Sequence, residues 1–236
     1  MTTTTATKED AKKFANLIGP TDPKLDREVR EILITARVGL LLKASFFGNL
    51  ATRLKLVNAD EWCATAATDG RNFYYNTRFI KMLRPKEVEF LFGHEVLHCV
   101  YDHFGRRGDR NPQLWNIADD FCVNADLKKH HVGEFITSVP CLYDHKYDGM
   151  SAEEVYDILY EKADKIDIND LLNKMIDDHM DGDDEKDGGG GGDGDEQNGK
   201  GRPKLSKEER QQIKDEIKEA MLAAASASDA GNIPAG

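Results

Sequence analysis

The chain has 236 residues, room for one good-sized domain with appendages, and its apolar fraction of 39% is low for a wholly folded chain. The net charge is −11, but residues 177–196 hold ten acidic side chains against one lysine, so the acidity belongs to one segment rather than to the fold. This balance argues against nucleic acid as a partner, because phosphate neutralisation needs clustered lysine and arginine.

The opening MTTTTATKEDAKKFANLIG lacks the apolar core of a secretory signal. Residues 1–24 read as a polar tail. A long amphipathic helix follows over about 25–46, with Val29, Ile32, Leu33, Ala36 and Leu40 at helical spacing. Arg37 and Lys43 interrupt its apolar run, which excludes a membrane span. A short strand is predicted near Leu54–Val57, and residues 62–76 read as a hairpin turning at Asp69-Gly70. Pro85 suits the first position of a helix running to about Phe104. A second helix is predicted over 113–128, and Ser151-Ala-Glu-Glu154 reads as a capping box opening a third, to about Lys162. Residues 25–165 thus form the expected domain and 166–203 an acidic, glycine-rich linker. A calcium loop in that linker fails because Gly194 stands where the closing glutamate belongs. The last unit, 204–236, carries a helix over about 206–225 and a tail. Cys63, Cys99, Cys122 and Cys141 show no C-x-x-C spacing and read as reduced thiols of a cytoplasmic protein, bacterial or in a phage-infected cell.

The stretch FLFGHEVLHCVYDHFGRR, residues 90–107, sets His94, Glu95 and His98 inside an apolar run. Buried polar groups need partners, and H-E-x-x-H on a helix puts both imidazoles on one face, in reach of one metal ion. Imidazole nitrogen suits zinc. Glu95 falls beside the metal rather than on it, where it can act as general base towards a water that the metal acidifies.

A catalytic zinc takes three protein ligands and leaves one position open. Asp120 is the leading third ligand, since it lies among Ile117, Val123 and Leu127 on the second helix. His103 and Asp119 are the alternatives. On an unbroken helix His103 lies about 900° on from His94 and faces the opposite way. No glycine lies between His94 and Gly105 to end the helix earlier. Phe73-Tyr74-Tyr75-Asn76 is a candidate edge strand for an extended peptide. Tyr101, Arg106, Tyr143 and His145 are the candidates for stabilising an oxyanion.

Four pieces in order carry a family resemblance: ATDGRNFYYN, HEVLH with a histidine five residues on, WNIADDFCVN and GMSAEEVYDIL. Across about 60–160 the chain resembles the metallopeptidase family whose members carry a zincin domain ahead of a von Willebrand factor A-like domain. The resemblance implies an α+β, zincin-like fold in which the active-site helix packs on a small mixed sheet with further helices. It places the aspartate of W-N-x-A-x-D on Asp120, keeps a histidine at 103 as a partner of a ligand, and implies an AAA-type ATPase as partner. The terminal DAGNIPAG resembles the lead-in to the second domain, and no D-x-S-x-S motif is present.

The expected function is zinc-dependent peptide hydrolysis on a protein or peptide substrate, with His94, His98 and Asp120 on Zn2+, Glu95 as base, and Asn124 and His103 supporting them. The alternative is a non-catalytic, metal-stabilised module that binds peptide or protein and works with the ATPase. A structural zinc would close with a fourth protein ligand; Cys99 is the neighbour to consider, and it points about 100° away from His98.

Overall fold

The computed structural model describes residues 14, 16–177, 203 and 205–228. Helix α1 (Pro23–Lys43) is capped by the Asp22 carboxylate, which accepts from the Lys24 and Leu25 amides, and it buries Val29, Leu33, Ala36 and Leu40 as one stripe. The predicted continuation to residue 46 does not occur. Ala44 leaves the helical region at φ −138°, ψ 68°, and α2 (Ser45–Arg53) folds back on α1. Gly48 allows that approach, since a Cβ there would stand 2.4 Å from the Leu41 nitrogen. Within the predicted polar tail, Phe14 packs edge-on against Phe79 at 5.8 Å, and the Gly19 amide donates to the Asp60 carbonyl at 2.8 Å.

Three short strands make a mixed sheet: β1 (Lys55–Asn58), β2 (Ala66–Thr68) and β3 (Asn72–Tyr75), in the order β1-β3-β2. β1 runs parallel to β3, and β2 antiparallel to it across the expected hairpin. Gly70 sits at φ +88° in that turn, and the Asp69 carboxylate accepts from the Arg71 and Asn72 amides. β3 alternates as a strand should. Phe73 stacks on Phe92 at 4.2 Å and Tyr75 donates to Asp26 at 2.7 Å, while Tyr74 points the other way onto Trp62. β3 is the central strand, hydrogen-bonded on both sides, so the expected peptide edge at Phe73–Tyr75 is corrected. Among the described residues the edge strands are β1 and β2.

Next come α3 (Thr77–Ile80), α4 (Pro85–Val100), α5 (His103–Arg106), α6 (Pro112–Lys129), α7 (Ala152–Glu161), α8 (Ile168–Leu172) and α9 (Lys207–Ser226). Pro85 opens α4 as predicted, and Ser151 and Glu154 cap α7 reciprocally. α4 is the centre of the molecule. It touches α1, α2, α6, α9 and β2, and every residue from Glu87 to His98 is buried. The fold is α+β. α9 docks through Ile213, Ala220 and Ala224 and through a two-pronged Arg71–Glu216 pair at 2.8 and 2.7 Å.

Two departures from the predicted elements matter for the site. First, α4 ends at Val100, four residues early. Asp102 adopts left-handed φ 52°, ψ 41°, and the chain re-enters a helix at His103. Second, residues 166–177, read as linker, fold against the domain: α8 packs on α6, and Ile176 is fully buried in the main core. The calcium-like run at 183–194 and the acidic segment after Asp177 lie outside the described residues. Among the described residues, no helix is long and apolar enough to cross a membrane, and no disulfide joins the cysteines.

Candidate metal centre

The one-turn spacing on α4 brings His94 Nε2 and His98 Nε2 to 3.0 Å from each other. From α6, Asp120 Oδ1 comes to 3.6 Å from both nitrogens. The chain following α8 adds Asp177, with Oδ1 3.5 Å from His94 Nε2 and Oδ2 3.9 Å from His98 Nε2. These four residues offer ligand atoms that all lie within 4.8 Å of one another, and together they could hold a metal ion. Four donors about 2.0–2.1 Å from a tetrahedral ion sit about 3.3 Å apart. The spacings between the two histidines and their carboxylate partners, 3.0 to 3.9 Å, bracket that value.

The far side of each imidazole fixes what the near side offers. Asn124 Nδ2 donates to the Leu142 carbonyl at 2.9 Å, which turns Asn124 Oδ1 towards His94 Nδ1, also at 2.9 Å. An amide oxygen only accepts, so Nδ1 carries the proton and Nε2 presents a lone pair to the cluster. His98 Nδ1 meets His103 Nδ1 at 3.1 Å, and His103 Nε2 faces Asp119 Oδ1 at 3.6 Å. With each Nδ1 or Nε2 proton directed outward along Asp119–His103–His98, His98 Nε2 also presents a lone pair. Trp115 Nε1 donates to the His103 carbonyl at 3.1 Å and pins that residue in place.

The cluster is out of water and rich in negative charge. His94, Glu95, Asp119 and Asp120 are fully buried, His98 and His103 nearly so, and Asp177 is 8% exposed. Burial pushes the Asp120 carboxyl well above the carboxylate range; the Asp177, Asp119 and Glu95 charges push the same way, and His94 opposes them. Burial works against a charged His94, but Asp120 and Asp177 outweigh it and raise its pKa. Four carboxyl groups around two imidazoles suit a bound cation, as the donor set does. The same desolvation raises the Cys99 thiol to about 12, and its sulfur lies 3.8 Å from Thr68 Oγ1. Cys99 is thus not among the converging donors.

The structure brings together His94, His98 and Asp120, as the sequence reading expects, with Glu95 buried beside them. The rotation argument for His103 is corrected, since the left-handed Asp102 turns the chain back onto His98; the contact it makes there is the one expected of a partner to a ligand. Asp119 meets His103 rather than the four-residue cluster. The oxyanion candidates are engaged elsewhere: Tyr101 with Asp126, Arg106 with Glu153, Tyr143 with Asp148 and exposed His145 with Asp144. Asp177 is the residue the sequence reading missed. Its one legible signal was the apolar Met175-Ile176 pair just before the acidic run, which marks chain still tied to a core.

Paired histidines from an H-E-x-x-H helix, joined by buried carboxylates from neighbouring elements, define a candidate metal-binding α+β domain. The chain belongs to the family described as "Putative metallopeptidase domain", whose model matches residues 30–236. No curated protein and no solved structure gives a significant match.

Proposed function

We propose that the chain is a zinc-dependent peptidase of the zincin type. His94, His98 and Asp120 hold the metal, and Glu95 is the general base. The carrying observation is the 3.0 Å convergence of two imidazole Nε2 atoms whose outer nitrogens are tied to Asn124 and His103. Bound zinc would polarise a peptide carbonyl and acidify water at this centre. Glu95 accepts the proton of the attacking water as its oxygen bonds to the carbonyl carbon. It then passes that proton to the amine nitrogen as the C–N bond breaks. Asn124 and His103 keep both ligand lone pairs aimed inward throughout.

Asp177 favours a second reading. Two histidines and two aspartates would close a four-coordinate site, which is the habit of a structural metal in a binding module. The test compares wild type with Glu95→Gln. Metal content is measured by plasma mass spectrometry, and cleavage of a fluorescence-quenched peptide library is followed with and without chelator. The peptidase reading expects about one zinc per chain in both proteins, and cleavage by wild type alone that chelator abolishes. Metal without cleavage in both proteins, and in an Asp177→Ala variant as well, favours the module. Wild type that holds no zinc when supplied with it sinks both readings.

A further inference from the structure

The centre has one donor more than three-ligand catalysis uses, and it comes from a different kind of element. His94, His98 and Asp120 project from α4 and α6, long helices fixed on several sides. Asp177 projects from a short run after α8, held by the buried side chain of Ile176. It is also the least buried of the four, at 8% against 0–1%. Its two oxygens approach both histidine nitrogens at 3.5 and 3.9 Å, the distance range of Asp120.

We propose that Asp177 is a tethered fourth ligand. It fills the position that water or a peptide carbonyl would take, so the chain keeps its own centre closed until the 173–177 segment withdraws. The proposal rests on the metal-site half of the reading above and concerns its regulation. A carboxylate suits the task because it competes for a hard or borderline cation without the permanence of a thiolate. Asp177 lies on neither α4 nor α6, so it can leave without dismantling them.

The test uses the full chain loaded with Co2+, whose visible absorption reports coordination, and azide as an added ligand. Wild type is compared with Asp177→Ala, and with Asp177→Asn in its place if the alanine variant does not fold by circular dichroism. The expected result is a wild-type spectrum that azide leaves unchanged, and a variant spectrum that starts elsewhere and shifts on titration with azide. Outer partners of metal ligands are worth about 10–100-fold in affinity, so removing a direct one should speed chelator stripping by at least about tenfold. Three results overturn the proposal: azide shifting both spectra alike, azide shifting neither, or a folded variant that no longer takes up Co2+. The last would make Asp177 a permanent ligand. Cleavage is scored separately. A variant that opens to azide but cuts no peptide keeps the tethered ligand and removes the peptidase reading.

Discussion

His103 Nδ1 lies 3.1 Å from His98 Nδ1, although an unbroken helix would carry it to the far side of α4. The left-handed Asp102 makes the pair possible, and Trp115 holds it through the His103 carbonyl. His103 therefore orients His98 rather than adding a donor to the four-residue cluster. Replacing it with alanine frees His98 to rotate, and metal affinity should fall about 10–100-fold with the fold retained. Competition with a chromophoric chelator measures this. Unchanged affinity in a folded variant would show that the contact orients nothing.

Asn124 plays the matching part for His94, and it is tied on both sides. Asn124→Ala leaves His94 Nδ1 and the Leu142 carbonyl buried without this partner. The expected loss is about 1–3 kcal/mol of stability, read by urea unfolding of the metal-free protein. Metal affinity should fall as well, because the lone pair of His94 is no longer directed. A variant as stable as wild type, with equal affinity, would contradict the role given to Asn124.

These two relationships show where the sequence was readable. His94, Glu95 and His98 follow from helical periodicity alone, and Asp120 from its apolar neighbours on α6. A rotation argument fails wherever the helix stops, and a non-glycine residue in the left-handed region at Asp102 gives no strong sequence signal. It therefore sent His103 the wrong way. Asp177 was hidden differently. It begins a run of acidic residues, and composition alone does not mark a carboxylate that turns inward. The sheet was legible as strands and turn but not as strand order, because the parallel β1–β3 pairing is non-local.

Gly133 fixes how closely the loop after α6 approaches the site helix. It sits at φ +65°, and a Cβ would stand 2.4 Å from the Phe90 nitrogen and 2.6 Å from the Lys86 carbonyl, both backbone of α4. Neither neighbour can swing aside. Gly133→Ala should cost about 3 kcal/mol, from left-handed strain plus overpacking. Gly149 is the control: φ is +78°, but nothing lies within 4 Å of the added carbon. Gly149→Ala should cost only the strain, about 1 kcal/mol. Equal losses in the two variants would mean that the approach to α4 is not what Gly133 serves.

Glu87 ties the start of the site helix to the loop at 137–138, and its ionisation should be visible in acid. The fully buried carboxylate accepts from the Thr137 amide at 2.7 Å, the Ser138 amide at 3.0 Å and Arg84 Nη2 at 2.9 Å. Burial alone would raise its pKa; the Arg84 contacts and the hydrogen bonds from Ser138 and Thr137 override this and lower it from 4.5 to about 2. The unfolded chain therefore binds this proton more readily than the native one. The stabilisation is complete above the unfolded value of 4.5 and fades as pH falls through about 2. Glu87→Gln keeps the shape but gives up the charge and one acceptor. Urea unfolding should place it about 1–3 kcal/mol below wild type at pH 7. That gap should hold down to about pH 5 and narrow steadily below 4.5. Taking the difference between the two proteins cancels the titration of the other carboxylates. A gap of constant size from neutral pH into acid would mean that packing, not the ionised carboxylate, holds the head of α4 to this loop.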